Sequence, residues 1–160
     1  MIKTYILTVS DRSYRGERDD LSGPALKAEA EKYGFSITGY EIIPDDRNII
    51  TEKLAGIADS GKADLILTTG GTGFAERDIT PEATEDAAER LVPGIAEAIR
   101  AESMKTTKRA MLSRGIAAIR KRTLIINLPG SPSGAVESFS VVAGTIGHGI
   151  ELLKGEKPDG

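Results

Sequence analysis

The feature that most restricts the fold is a pair of short runs, residues 63–69 (Ala-Asp-Leu-Ile-Leu-Thr-Thr) and 123–128 (Thr-Leu-Ile-Ile-Asn-Leu). Both are apolar at consecutive rather than alternate positions, both are too short for a buried helix, and both stop at a breaker, Gly70-Gly71 or Pro129-Gly130. That pattern describes a strand covered on both faces, which requires helices above and below one sheet. The intervening sequence supplies them. Residues 22–33 place Leu26, Ala30 and Tyr33 on one face, with Pro24 near the start and Gly34 past the end. Residues 47–59 repeat the pattern through Ile50, Leu54 and Ile57 and stop at Gly61. Residues 3–9 and 35–43 read as two further strands, the second weakened by Gly39. Strands alternating with helices of this length imply βαβ units, an α/β fold and a mainly parallel sheet.

The second half continues the theme. Thr80-Pro81-Glu82 opens a helix, with Thr80 expected as its cap. Pro93-Gly94 is expected to split that helix from another over 95–105. One final helix is expected over 133–153, carrying Phe139, Val142, Ile146, Ile150 and Leu153 on one face. Gly144, Gly147 and Gly149 weaken it and point to close helix packing or a contact between copies. Residues 106–122 have no clear pattern. A chain of 160 residues is room for one ordinary domain; its expected extent is 1–154, with 155–160 a flexible tail.

Composition removes several function classes. There is no cysteine, which excludes disulfides, thiolate metal sites and cysteine nucleophiles and fits a reducing compartment. Tryptophan is absent, aromatics are 4% and the net charge is −3, so neither a base-stacking platform nor a basic nucleic-acid groove is expected. The apolar start of the chain is too short for a signal peptide or a membrane span, so the expected location is cytoplasmic, with no membrane partner. Glycine is abundant, 18 of 160, about 11% against a usual ~7%.

In an open parallel sheet, ligands bind beyond the carboxyl ends of the strands. Ser10-Asp11-Arg12 follows the first expected strand and Pro44-Asp45-Asp46 the second. Gly70-Gly71-Thr72-Gly73 and then Arg77-Asp78 follow the third, and Pro129-Gly130-Ser131-Pro132-Ser133-Gly134 the last. Bare glycine backbone lets N–H groups approach an anion, and the Ser131–Ser133 stretch precedes a helix N-terminus, a second anion-binding arrangement. A tight turn and a plain N-cap describe the same residues equally well. Asp45 and Asp78 share the edge, where carboxylates beside phosphate call for a cation such as Mg²⁺; taken singly, each also reads as a turn former or cap, and Asp46 competes with Asp45. Arg12, Arg77 and Arg114 are candidates to pair with phosphate. His148, the sole histidine, reads as structural, which leaves a serine nucleophile without a histidine partner.

In combination, Thr8-Val9-Ser10-Asp11-Arg12, Pro44-Asp45-Asp46, Thr69-Gly70-Gly71-Thr72-Gly73, Arg77-Asp78-Ile79-Thr80-Pro81-Glu82, Leu112-Ser113-Arg114 and Asn127-Leu128-Pro129-Gly130-Ser131-Pro132 resemble the molybdopterin adenylyltransferase family, the MogA/MoaB-type proteins of molybdenum cofactor biosynthesis. Similar domains occur in plant Cnx and animal gephyrin proteins. The resemblance implies a three-layer α/β/α sandwich, a homotrimer, and Mg²⁺-dependent transfer of AMP from ATP to the terminal phosphate of molybdopterin with release of pyrophosphate. It further implies transient contact with a molybdate-insertion enzyme. By the same resemblance, Asp45 and Asp78 are the catalytic, metal-holding carboxylates. Gly70, Gly71, Thr72 and Gly73 form the nucleotide-and-phosphate loop. Ser10, Asp11, Ser113, Arg114, Asn127, Pro129, Gly130, Ser131 and Ser133 are substrate contacts. Two alternatives stand beside it: a non-catalytic MoaB-like pterin-binding module, and a nucleotide-phosphate hydrolase on the same fold.

Overall fold

The computed structural model describes residues 1–156. Its strands are β1 (Lys3–Val9), β2 (Ser36–Ile43), β3 (Leu65–Thr69), β4 (Arg90–Leu91), β5 (Ala117–Arg120) and β6 (Thr123–Leu128), and they form one sheet in the order β2-β1-β3-β6-β5-β4. The first four in that order run parallel. β5 is antiparallel to β6, and β4 to β5. The helices are α1 (Asp11–Tyr14), α2 (Ser22–Lys32), α3 (Arg47–Ser60), α4 (Thr80–Ala87), α5 (Pro93–Ser103), α6 (Pro132–Ala143) and α7 (Ile146–Leu153), with a 3-10 turn over Lys108–Leu112.

Consecutive apolar residues in the strands feed two cores. Ile6, Leu65, Leu67, Leu124, Ile126 and Leu128 pack with Leu26, Ile99, Phe139, Val142 and Ile150, that is, with α2, α5, α6 and α7. Leu7, Val9, Ile66 and Ile125 pack with Ile50, Leu54, Ile57 and Ala83, that is, with α3 and α4. The result is the expected three-layer α/β/α sandwich with a mostly parallel sheet. Among the described residues no helix is long and apolar enough to cross a membrane.

Local chemistry explains most boundaries. Asp46 caps α3, its Oδ1 accepting from Ile49 N at 3.0 Å, and Gly61 ends that helix at φ 71°. Three details correct the sequence reading. Thr80 does not cap α4: the cap is Ile79, without a side-chain bond. Between α4 and α5 the chain forms the short strand β4, and Pro93 starts α5, a position where its missing N–H costs nothing. The expected helix over 133–153 is two helices, broken at Gly144 and Thr145, both poor helix formers; the break turns Ile146 and Ile150 into the core. A Cβ at Gly144 or Gly149 would meet nothing within 4 Å, and one at Gly147 only the Ile2 side chain, so close packing within the chain does not explain these glycines. Of the expected tail, Gly155 and Glu156 hydrogen-bond back to Leu152 and Glu151, and 157–160 lie outside the described residues.

Gly39 does not end β2. The β1–β2 register shifts there, setting Tyr5 opposite Gly39, and the Tyr5 ring lies across the bare Cα, 2.1 Å from where a Cβ would sit. Gly39→Val is therefore expected to displace that ring and lower stability by about 1–3 kcal/mol, read as a lower urea midpoint at unchanged m-value.

Candidate functional site

The strand order reverses between β1 and β3: the chain leaves β1 for β2 on one side and later continues from β3 to β6 on the other. Such a switch point opens a crevice at the carboxyl ends of the strands. A cleft of about 760 Å³ lies there, lined by Ser10, Asp11, Asp45, Gly70, Gly71, Asp78 and Gly130 among others. A second cavity, of about 450 Å³, is lined by Thr72, Gly73, Phe74, Ser113, Pro129 and Glu137, and Ser131 borders both.

Glycines let the strand ends close on one another. Gly70 has φ 104°, and a Cβ there would sit 2.3 Å from the Val9 carbonyl oxygen. A Cβ on Gly130 would come within 3.3 Å of the Gly70 Cα. Hydroxyls fasten the same loops: Thr69 Oγ1 donates to Pro129 O at 2.6 Å, and Ser22 Oγ to Gly130 O at 2.6 Å. Gly71 has φ 70°, and a Cβ there would strike Thr80 Oγ1 at 2.2 Å and approach Asp45 Oδ1 at 3.2 Å; one on Gly73 would lie 2.9 Å from Asp78 Oδ2. The glycines thus make room for the Thr80 hydroxyl and for the two carboxylates. The Gly70 N–H is used by Leu128 O at 3.1 Å. No protein acceptor among the described residues takes the N–H of Gly71, Thr72 or Gly73. The unengaged N–H groups of the loop are therefore those of 71–73 rather than 70–73.

The carboxylates are held by a reciprocal clasp. Asp11 N donates to Asp45 Oδ2 at 2.9 Å, and Asp45 N donates to Asp11 Oδ1 at 3.0 Å. Arg77 grips Asp11 through Nε and Nη2, and that bond holds the Asp11 carboxyl below its ordinary value. Asp45 moves the other way: burial first, then the neighbouring Asp11 and Asp78 charges, push its carboxyl up despite the Asp11 N–H bond. Asp78 Oδ2 accepts from Ala75 N at 3.0 Å. Asp46 is exposed and occupied as the α3 cap, so Asp45 is the residue of the pair that faces the cleft. Among the described residues no three acidic or histidine side chains form a cluster able to cage a metal. Two hard carboxylates beside glycine-made space suit a cation such as Mg²⁺ that keeps its waters and takes phosphate oxygens as further ligands.

Of the expected contacts, Ser10 lines the cleft while its Oγ caps α1, accepting from Ser13 N at 3.1 Å. Ser131 caps α6, accepting from Gly134 N at 3.1 Å. Ser113 and Pro129 border the second cavity, and Ser133 is exposed and borders neither. Two expected contacts line neither cavity and are engaged by protein groups. Arg114 directs its guanidinium to Gly73 O, Glu82 and Asp78 O, pinning the glycine loop from behind. Asn127 is buried, donating to Thr68 and Thr84 hydroxyls at 3.0 and 2.9 Å and accepting from Ile116 N at 3.1 Å. Arg77 is committed to Asp11, while Arg12 lines the cleft. The sequence reading missed Arg15 and Arg18, which line the cleft beside Arg12; their three-residue spacing after a strand end is the signal that could have found them. It also missed Asp20, which accepts from Thr8 Oγ1 at 2.7 Å, from the N–H groups of Ser22 and Gly23, and from the Tyr40 hydroxyl. Burial, reinforced by Asp20, pushes that hydroxyl up to about 12, so it stays a donor. One buried side-chain oxygen among the described residues has no partner, Thr80 Oγ1, which lies against Gly71.

Asn127→Ala is expected to destabilise by about 1–3 kcal/mol through the stranded Ile116 N–H, read by thermal denaturation, with ligand affinity of the folded fraction unchanged. For Asp45, the raised value means the folded chain binds a proton more readily than the unfolded one, so its ionisation reduces stability as pH rises through its titration. Asp45→Asn should therefore melt higher than the parent at neutral pH without ligand. The two should converge as the solution is acidified and the parent's Asp45 takes up its proton.

Residues 5–148 match the family described as a probable molybdopterin binding domain. The molybdopterin adenylyltransferase of Helicobacter pylori is 41% identical over 152 residues, covering 94% of this chain and 86% of that protein. The Escherichia coli molybdopterin adenylyltransferase is 39% identical over 152 residues, covering 91% and 77%. The crystal structure of the molybdopterin biosynthesis enzyme MoaB from Thermus thermophilus superposes with a TM-score of 0.92 at 47% identity, covering 99% of each chain. With the family matched over most of its length, and with the sheet, the switch point and the glycine loop in place, the chain belongs to the MogA/MoaB family of molybdopterin-binding proteins of molybdenum cofactor biosynthesis.

Proposed function

We propose that the chain transfers the adenylyl group of ATP to the terminal phosphate of molybdopterin, yielding adenylyl-molybdopterin and pyrophosphate. The observation that carries this reading is the convergence of Asp45, Asp78 and the free N–H groups of residues 71–73 at one edge, between two cavities that share Ser131. Two phosphate-bearing substrates, one on each side of the glycine loop, would bring their reacting phosphates together there. A molybdopterin phosphate oxygen attacks the α-phosphorus of ATP; the bond from that phosphorus to the β-bridging oxygen breaks, and its electron pair leaves with pyrophosphate. The nucleophile is already ionised near neutral pH, so no general base is required, and catalysis is positioning plus charge stabilisation.

The N–H groups of 71–73 donate to phosphate oxygens. The Asp11 clasp fixes the Asp45 carboxylate, and Arg114 holds the loop that bears Asp78. Mg²⁺, held by Asp45 and Asp78, supplies charge neutralisation on the phosphates when bound. A homotrimer and delivery of the product to a molybdate-insertion enzyme belong to the same proposal; light scattering that finds three copies supports the first, and a monomer contradicts it.

The 47% identity to a MoaB structure, against 41% to a named adenylyltransferase, favours one second reading, a MoaB-like pterin-binding module. Incubation with molybdopterin, ATP and Mg²⁺ separates the two: adenylyl-molybdopterin and pyrophosphate form only under the first. Under that reading Asp78→Ala is expected to lower turnover by at least about 100-fold, EDTA to abolish it and added Mg²⁺ to restore it.

A further inference from the structure

We propose that the segment joining β1 to α2 is a polyphosphate clamp, with Arg12 and Arg18 binding the β- and γ-phosphates of the nucleotide and then the departing pyrophosphate. The inference rests on the adenylyl-transfer reading for which phosphates are present, but its chemistry, recognition of a diphosphate by two guanidinium groups, stands on its own geometry.

Arg12, Arg15 and Arg18 all line the cleft that holds Asp45 and Asp78. The segment that carries them is an ordered turn. Ser10 caps α1, Arg15 N and Gly16 N donate back to Asp11 O and Ser13 O, and Glu17 N donates to Arg12 O at 2.9 Å. Gly16, at φ 75°, allows the reversal. The arginines differ in their partners. Arg15 is paired with Glu17 at 2.9 Å, and Arg77 with Asp11. The Arg12 side chain has no ion pair or hydrogen bond among the described residues, and Arg18 has only a 3.4 Å contact to Ser10 Oγ.

Charge explains why such groups are needed. A cation shared between Asp45 and Asp78 is largely offset by those two carboxylates, which leaves a triphosphate's own charge uncompensated. Guanidinium groups bind phosphate through paired, charge-assisted hydrogen bonds. With the α-phosphate at the carboxylates and residues 71–73, the two arginines of this turn that form no salt bridge, Arg12 and Arg18, are left for the distal phosphates. There they would stabilise the charge that builds on the leaving group as the bond to the α-phosphorus breaks.

The test compares the parent chain, Arg12→Gln/Arg18→Gln, and an Arg90→Gln control on the exposed β4 strand, by calorimetric titration with Mg²⁺ and pyrophosphate, α,β-methylene-ATP or AMP. Expected is a loss of roughly 10- to 100-fold in affinity for pyrophosphate and the triphosphate analogue in the double variant, with AMP within twofold and the control unchanged in all three. Circular dichroism and melting temperature check that the double variant folds. The clamp is contradicted if the double variant loses AMP affinity equally, if it keeps its pyrophosphate affinity, or if the parent binds neither pyrophosphate nor the analogue. Pyrophosphate binding that depends on both arginines, without adenylyl-molybdopterin formation, would remove the proposed reaction and leave the clamp. Normal turnover and an unchanged KM for ATP in the double variant would do the reverse.

Discussion

At Gly70 the ends of three parallel strands meet with no room for a side chain between them. The Val9 carbonyl of β1 stands where a Gly70 Cβ would be, the Gly70 N–H is tied to Leu128 of β6, and Gly130 packs on the Gly70 Cα. Everything at the candidate site follows from this contact. Because β1, β3 and β6 end at one level, the loops that continue from them face one another across a switch point. Because Gly71 and Gly73 also lack side chains, the space that two methyl groups would fill goes to the Thr80 hydroxyl, with the Asp45 carboxylate beside it, and to the Asp78 carboxylate. Larger residues at these positions would separate the loops and dismantle the cleft before any chemistry was at issue.

The electrostatics of the cleft are built by pairing rather than by exclusion. Three carboxylates in one region would repel one another if left free. The Asp11–Asp45 clasp uses backbone N–H groups to hold two of them, and Arg77 neutralises the outer one. The residual cost falls on Asp45, whose carboxyl is raised by burial and by its neighbours. A residue that the free fold holds at a disadvantage, and that a cation would relieve, is what a site built for a charged ligand looks like: the cost carried by the free fold becomes binding energy when the ligand arrives.

The parallel part of the fold was legible because its signals are local. Apolar runs at 63–69 and 123–128, the Pro44-Asp45-Asp46 stop after the second strand and the Gly61 stop each act within a few residues. The antiparallel edge was not. β4 spans only Arg90–Leu91, and the β5–β6 hairpin turns at Lys121, which takes φ 53°, where a glycine or asparagine would have signalled the turn. The break after Ala143 falls at Gly144 and Thr145; Gly144 was a visible local signal, outweighed in the sequence reading by the apolar stripe that continues through Ile146 and Ile150. At the site, Asp45, Asp78, Gly70, Gly71, Ser10 and Ser131 all line the cleft, where their positions after strand ends put them. Asn127 and Arg114 line neither large cavity, because a buried amide network and a guanidinium turned onto backbone carbonyls depend on partners 59 and 41 residues distant. Arg15 and Arg18 were missed for the converse reason: a polar loop with charged residues looks like solvated surface until its fold over the cleft is known.

Under the proposed function, a phosphate-bound cation sits between Asp45 and Asp78 beside the glycine loop. That placement is tested most directly by paramagnetic NMR with Mn²⁺ in place of Mg²⁺ and α,β-methylene-ATP as ligand. The amide signals of Asp45, Gly71, Gly73 and Asp78 are expected to broaden beyond detection while those of Gly61, Glu89 and Lys121, at the opposite end of the sheet, are untouched. Broadening centred anywhere else, or none at the Asp45 and Asp78 amides with the nucleotide bound, would contradict it.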